Sequence, residues 1–206
     1  MTLFKLSFLA ACLAHLLCRQ CDCLITYTPY GRFNFGMLKD NVELSKLFKG
    51  TPRENSLKSI LLGVLAMTVE FFGYLSICAW MQDYSPVCAL ILLLSVGVIF
   101  IPGVVHHVFC GTVEWFYLRF GCTEDARQGI LEFFKKTSST MLACFVGFLV
   151  FSITLFAAVV LGWTPLPRWA CIFNMLPIFL VMAPFRIVGT LNLAGALMFA
   201  GLFFLI

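Results

Sequence analysis

Six apolar stretches separated by polar connections dominate this sequence. A helix needs roughly 20 residues to cross about 30 Å of hydrocarbon, and most of the stretches reach that length. We therefore predict an all-α fold, an integral membrane bundle of six transmembrane helices. The predicted spans are residues 3–25, 57–80, 87–120, 138–161, 169–183 and 188–206.

The composition supports a membrane protein without a separate soluble domain. Apolar residues make up 61% of the chain and charged residues 12%, whereas soluble proteins average about 45–50% and about 25%. The 206 residues suit one polytopic transmembrane domain over 1–206. The net charge of +4 does not indicate nucleic-acid binding, because the basic residues lie in loops, where orientation and lipid head groups account for them. Membrane lipids are the expected partners, and an oligomer is compatible with this composition.

The connection after the first stretch carries a different pattern. Residues 3–25 follow the plan of a secretory signal, but no small-x-small cleavage signature follows, so we interpret them as a transmembrane helix. Residues 37–48 then alternate charged and apolar side chains at helical spacing. This pattern predicts one interfacial amphipathic segment, with its apolar side chains on the bilayer surface. Those side chains are Leu38, Val42, Leu44, Leu47 and Phe48.

Lysine and arginine are distributed unequally between the two sides of the predicted bundle. Eleven lie in or beside the loops at 26–56, 119–137 and 184–188, against two on the side that holds both termini. Short cytoplasmic loops carry the excess of basic residues. We therefore predict a multi-pass protein of the plasma (inner) membrane with both termini extracytoplasmic.

The third apolar stretch contains a concentration of ionisable groups that is rare in a membrane span. His106 and His107 follow Pro102, and Glu114 lies two turns further on. Such groups in hydrocarbon mark functional candidates. A continuous helix over these 34 residues would be about 51 Å long, so we expect Pro102 to kink or break it.

One face of that stretch combines small and titratable residues. Gly103, His107, Gly111 and Glu114 lie three or four residues apart, so they share one side of a helix. This pattern favours the wall of a cavity over a surface that faces lipid.

Two other spans also contain carboxylates. Glu70 lies near the middle of the second stretch, where an isolated carboxylate is costly unless it is protonated or paired. The first stretch places His15, Arg19 and Asp22 on one side of a helix. Two interpretations stay open for this side: an interfacial ion pair between Arg19 and Asp22, or an Asp22 that faces a pocket. Glu70 likewise is either a proton carrier or a neutral acid bonded to a neighbouring helix.

The predicted topology places most of these groups in the cytoplasmic half of the bundle. We therefore hypothesise a polar pocket open to the cytoplasm or inner leaflet, with Glu70 at its floor. The predicted catalytic residues are Asp22, Glu70, His106, His107 and Glu114. The predicted substrate-binding residues are Arg19, Cys110, Trp169, Asn174 and Asn192.

Histidine and buried carboxyl groups in such a pocket indicate acid–base chemistry on a lipid or another apolar small molecule. Isomerisation and hydrolysis both fit, and Cys110 would supply a nucleophile. In a metal-assisted variant, His106, His107, Glu114 and Asp22 bind a divalent transition metal such as zinc. The alternatives are a proton-coupled transporter or channel for a small solute, and a binding partner of another membrane protein.

Most of these polar residues lie in short motifs along the chain. They are Asp22-Cys-Leu-Ile-Thr-Tyr27-x-Pro29, Glu70-Phe-Phe-Gly73, His106-His107 with Gly111 and Glu114, Leu166-Pro-Arg-Trp169 with Asn174 and Pro177, and Gly189-x-x-Asn192. Their arrangement resembles an uncharacterised family of bacterial multi-span membrane proteins over most of the chain. The resemblance implies that these positions belong to one site, and it transfers no activity.

Overall fold

A computed structural model describes residues 2–206, and nearly all of the regular structure is helical. The all-α prediction is confirmed. Strands β1 (Tyr27–Thr28) and β2 (Gly31–Arg32) form one short antiparallel hairpin after the first helix. The helices are α1 (Leu3–Thr26), α2 (Asn41–Phe48), α3 (Arg53–Gln82), α4 (Pro86–Arg119), α5 (Glu124–Thr137), α6 (Ser139–Val160), α7 (Met175–Met182) and α8 (Thr190–Leu205). Single 3-10 helices cover Phe35–Lys39, Arg168–Ile172 and Ala183–Phe185.

Four helices within residues 2–206 are long and apolar enough to cross a membrane, namely α1, α3, α4 and α6. They match the first four predicted spans to within a few residues. The fifth predicted span, 169–183, is divided: a 3-10 helix precedes α7, which starts only after Asn174. Helix α7 with its 3-10 extension and α8 are shorter apolar helices, so the number of six spans stays a prediction.

Helix α4 runs without interruption from Pro86 to Arg119, with Pro102 inside it. Of the kink or break expected at Pro102, the break is therefore wrong. Helices α3 and α6 pack along the length of α4, and in an apolar environment neighbouring helices stabilise a proline-containing helix that would fray in water. Gly103 shows how close this packing is, because a Cβ there would lie 3.1 Å from Cys144 Sγ on α6.

The stripe of small and titratable residues on α4 also packs closely. A Cβ at Gly111 would lie 2.5 Å from Ile60 Cγ1 on α3, and the ring of His107 fills the space above Gly63. Glu114 accepts a hydrogen bond from Ser56 Oγ at 2.9 Å. The stripe thus packs against α3, and at Gly103 also against α6, rather than forming the expected open wall of a cavity.

The segment at 119–137, predicted as a loop, contains helix α5. Thr123 caps this helix by accepting a hydrogen bond from the Ala126 amide, and acidic residues begin it while lysines end it, as the helix dipole favours. Hydrogen bonds from Arg127 and Gln128 lower the pKa of Glu124 to about 2, which keeps the Glu124–Arg127 pair charged. Charged residues at helical spacing therefore made a surface helix, not a loop.

The predicted amphipathic segment over 37–48 lies against protein. A 3-10 helix and α2 cover it, and most of its apolar side chains are buried against the ends of α4 and α5. Of the five expected on the bilayer surface, only Val42 is exposed. Arg127 holds α5 to this segment by donating to the Leu38 carbonyl at 2.6 Å. The buried members of this cluster are Leu38, Leu44, Leu47, Phe48, Val113, Tyr117 and Ile130.

The main core lies between α1, α3, α4, α6 and α8, with Tyr74 at its centre. Its ring lies 5.0–5.2 Å from those of Phe100, Phe151 and Phe199 at steep interplanar angles, the edge-to-face geometry that aromatic rings prefer. Gly73 brings α1 close to this cluster, because a Cβ at Gly73 would lie 2.3 Å from that of Ala11.

Replacing Gly73 by alanine is expected to lower the free energy of unfolding by about 1–3 kcal/mol, since α1 must move away from α3. The midpoint of thermal unfolding in detergent micelles measures this effect. Gly97→Ala on α4 is the matched control, because nothing lies within 4 Å of a Cβ added there. Equal midpoints for the two variants would contradict the close contact of α1 with α3.

Candidate functional site

The imidazole of His15 on α1 lies at the meeting point of three helices and is 1% exposed. Its Nδ1 lies 3.2 Å from Asn192 Oδ1 on α8 and 3.3 Å from Glu70 Oε1 on α3. Its Nε2 lies 3.3 Å from the hydroxyl of Tyr74, also on α3. We call these four residues and Asp22 the His15 network.

Helix α8 accommodates the buried ring because it carries Gly195 at the point of contact. A Cβ at Gly195 would lie 2.5 Å from the ring atoms of His15. One turn further along α8, the ring of Phe199 packs on the imidazole at 5.6 Å. A glycine and an aromatic residue therefore define the position of the histidine.

Asn192 connects His15 to a second carboxylate. Its Nδ2 donates to Asp22 Oδ2 at 2.9 Å, so α1 contributes both ends of this connection. Asp22 is only partly buried. Gly189, the residue immediately before α8, packs against it. A Cβ at Gly189 would lie 3.0 Å from Asp22 Oδ2 and 2.7 Å from Arg19 Cγ. The network thus extends from the centre of the bundle to the end where α1 finishes.

The hydrogen bonds determine where protons lie in the network. Because the amide of Asn192 donates to Asp22, its Oδ1 accepts from the Nδ1–H of His15. The single hydroxyl proton of Tyr74 has two acceptors in reach, His15 Nε2 and Met175 Sδ at 2.7 Å. When it turns to Met175, the phenol oxygen accepts an N–H from Nε2 instead. The same geometry therefore holds His15 in both its neutral and its doubly protonated form.

Glu70 is the least satisfied polar group of the network. The residue is 3% exposed, and within residues 2–206 its Oε1 has no hydrogen-bond partner. The nearest group of opposite potential charge is His15 Nδ1 at 3.3 Å. Burying such a group without full compensation costs stability, so this pair is held together by the surrounding helices.

His107 borders the network from α4. Its Nε2 donates to the Ser59 carbonyl at 3.0 Å, and Ser59 Oγ in turn donates to the Cys21 carbonyl of α1 at 3.0 Å. Cys21 directly precedes Asp22 on α1. Of the three residues that the sequence predicts to converge, Asp22 and Glu70 therefore belong to the network and His107 lies at its edge.

The other predicted catalytic residues lie elsewhere. His106 points to α6, where its Nδ1 lies 3.2 Å from Thr140 Oγ1, and Cys110 Sγ lies 3.5 Å from its Nε2. Glu114 accepts from Ser56 near the start of α3. Adjacent residues on a helix point about 100° apart, so His106 and His107 face different neighbours.

The predicted metal ligands are not assembled in one place. Within the described residues 2–206 there is no group of three or more His, Cys, Asp and Glu side chains with the arrangement of a metal site. His106 and Glu114 each bond to a separate neighbouring helix, and Asp22 bonds to the amide of Asn192.

The predicted substrate-binding residues also separate. Asn192 is in the network, and Arg19 lies beside Gly189 at its outer end. Asn174 is occupied structurally, because it caps α7 and donates to the Ser152 carbonyl at 3.0 Å. Trp169 is 56% exposed on the surface of the bundle.

Sequence reasoning did not include His15 or Tyr74 among the site residues. A signal for His15 exists, since it shares a helix face with Arg19 and Asp22. Tyr74 likewise shares a helix face with Glu70, but an aromatic residue in an apolar helix is usually part of the core, which Tyr74 also is.

Comparisons with known proteins identify a family for this chain. No characterised protein and no solved structure gave a significant match. The sequence profile of a family of unknown function, DUF6796, matches residues 2–206. The expected resemblance to an uncharacterised family is thereby confirmed at the level of the family. Because the match covers almost the whole chain, the protein belongs to the DUF6796 family of unknown function.

Proposed function

We propose that this protein binds a lipid or another apolar small molecule in the membrane and transforms it by proton transfer at the His15 network. The observation that carries the proposal is the Glu70 carboxyl, which is buried, has no hydrogen bond to Oε1 within residues 2–206, and lies 3.3 Å from His15. A packed apolar core would be more stable without such a pair. A role in exchanging a proton with a ligand would explain why the protein contains the His15–Glu70 pair.

Isomerisation is the reaction that these groups support most directly. One group donates a proton to a double bond or carbonyl of the ligand, and the other accepts a proton from a neighbouring carbon. The two roles fall to Glu70 and His15, and proton exchange between them restores the starting state. When His15 gains or loses a proton, the hydroxyl of Tyr74 turns between His15 Nε2 and Met175 Sδ. Such a reaction needs neither water nor a further reactant.

The polar side chains of the network continue toward one end of the bundle. Asp22 and Asn192 connect it to the end where α1 finishes. On the other side of His15, the side chains of Phe8, Phe151 and Phe199 are fully buried and close the core. A transport path requires polar groups on both sides of a central site, so the one-sided arrangement favours an enzyme or binding protein over a transporter.

Glu70→Gln is expected to abolish activity without unfolding the protein. The probe is a total membrane lipid extract, added to the purified protein in detergent and analysed by mass spectrometry for bound and converted species. General acid–base groups contribute about 10²–10⁴-fold to rate, so conversion should fall at least about 100-fold. The unfolding midpoint should stay equal or rise, because a poorly satisfied carboxyl is removed.

Glu54→Gln is the matched control, since Glu54 lies exposed in the first turn of the same helix. It should leave lipid binding, conversion and the unfolding midpoint unchanged. A Glu70→Gln protein that converts lipid like the wild type, or that unfolds at a much lower temperature, would show that Glu70 is only structural.

Proteoliposomes with an internal pH-sensitive dye separate this proposal from proton-coupled transport. After an imposed pH difference, wild type and Glu70→Gln should dissipate the gradient at the same rate, because the aromatic residues around Tyr74 close the far side. A wild-type flux well above that of Glu70→Gln would favour transport.

We also propose that α7 and α8 complete six crossings, with both termini outside the cytoplasm. The guanidinium of Arg32, in the hairpin after α1, donates to the carbonyl of Arg186, in the turn before α8. At the opposite end, the ammonium of Lys5 lies 5.9 Å from the ring centre of Phe203. These contacts support an arrangement in which the basic loops lie at one end of the bundle and both termini lie at the other. The excess of lysine and arginine assigns the end with the basic loops to the cytoplasm.

A topology reporter tests this arrangement. A reporter inserted at Arg186 should be active only in the cytoplasm, and one fused after Ile206 only outside it. A reporter in the connection at Asp83, between α3 and α4, is the control and should behave as the one at Ile206. An Arg186 reporter that is active outside would contradict the fifth and sixth crossings.

A further inference from the structure

A cysteine, a histidine and a threonine form a separate group where α4 meets the start of α6. Cys110 Sγ lies 3.5 Å from His106 Nε2, and His106 Nδ1 lies 3.2 Å from Thr140 Oγ1. All three side chains are partly exposed. A nucleophile beside a base, with the base oriented by a third group, is the arrangement of nucleophilic catalysis.

The hydrogen bonds of Thr140 select the tautomer of His106. The Thr140 hydroxyl donates its proton to the Thr137 carbonyl at 2.8 Å. Its oxygen can therefore only accept from His106 Nδ1, which must carry a proton. In the neutral ring this leaves a lone pair on Nε2, directed at the thiol of Cys110. His106 is thus held in the form that a general base requires.

An apolar groove lies further along α4, toward the C-terminal end of that helix. Its volume is about 620 Å³, within the range of about 300–1,000 Å³ typical of ligand sites, and it lies between the end of α4 and α5. Phe133 lines the groove, and its ring packs 4.8 Å from that of Phe109, the residue before Cys110. The apolar lining consists of Val113, Phe116, Tyr117, Phe120, Ile130 and Phe133.

We propose that Cys110 is a nucleophile that accepts a long acyl chain from a thioester, with the chain lying in the groove between α4 and α5. The Cys110 sulfur attacks the carbonyl carbon of the donor while its proton passes to His106 Nε2. The tetrahedral adduct then expels the donor thiolate, which takes the proton from His106. One carbon–sulfur bond forms, one breaks, and no oxidant is consumed.

An acyl chain is the proposed occupant because the groove is apolar and a thiol lies near it. The thiol is partly buried and contacts His106 Nε2, so its proton passes to that nitrogen when the sulfur attacks. The groove wall contains aromatic and aliphatic side chains over several turns of α4, a surface suited to a hydrocarbon chain. The site is independent of the His15 network, because His106 faces α6 whereas His107 faces α3.

Acylation by an alkyne-tagged palmitoyl thioester of coenzyme A tests the proposal on the full-length protein in detergent. The wild type should acquire one hydroxylamine-labile acyl group, located on Cys110 by peptide mass spectrometry. Cys110→Ser should lose the hydroxylamine-labile label. His106→Gln should slow labelling about 100-fold, at the lower end of a general-base contribution.

Thr140 is a positioning residue and has its own pair of variants. Thr140→Val should slow labelling about 10-fold, since it removes the acceptor for Nδ1, and Thr140→Ser should restore the rate because it keeps the hydroxyl. Cys144→Ser and Glu70→Gln should label at the wild-type rate. The result for Glu70→Gln separates this site from the lipid-transforming function proposed above.

Several results would overturn the proposal. They are an unlabelled wild type, a label on other cysteines in place of Cys110, an unchanged rate in a folded His106→Gln protein, and loss of labelling in Glu70→Gln. Elution of each variant at the wild-type volume in size-exclusion chromatography shows that it is folded.

Discussion

The contact between His15 and Glu70 is the constraint on which the rest of the structure depends. Two ionisable groups lie 3.3 Å apart in a core that is otherwise aromatic and aliphatic. In such surroundings each requires compensation, since an unpaired charge or an unbonded carboxyl is costly. For His15 the compensation comes from Asn192 on α8 and Tyr74 on α3, whereas Glu70 Oε1 has only the imidazole of His15 beside it. Helices α1, α3 and α8 must therefore keep a fixed relative position, and the aromatic packing around Tyr74 provides that rigidity.

Glycines make this arrangement sterically feasible. Small residues in membrane proteins usually bring helix backbones together. Here the glycines also leave space for polar side chains of a neighbouring helix. The ring of His15 occupies the space beside Gly195, and the ring of His107 occupies the space beside Gly63. The side chains of Arg19 and Asp22 lie against Gly189. Each of these polar side chains packs at a position where the facing residue has no Cβ. Close packing and internal polarity are therefore consequences of one pattern.

The sequence predicts the helical fold well because hydropathy determines which segments can enter a membrane, and the first four spans are strongly apolar. It predicts α5 and the 37–48 segment less well, since their charged residues are compatible with a loop, a bilayer surface or a protein surface. In the site, Glu70 and Asp22 stand out as carboxylates in apolar runs. Tyr74 does not, because its hydroxyl gains a role only when α1 places His15 beside it. Partners on different helices depend on relative rotation, which hydropathy does not encode.

The adjacent histidines of α4 show how rotation divides one motif between two environments. Consecutive side chains on a helix diverge by about 100°, so His107 turns to α3 and bonds to the Ser59 carbonyl, whereas His106 turns to α6 and bonds to Thr140. An α4 broken at Pro102 would have allowed both rings to reach one ion or one ligand. Because α4 continues as a helix, the two rings belong to different interfaces. The integrity of α4 is therefore what separates the side of His107, which borders the His15 network, from the side of the Cys110–His106 pair.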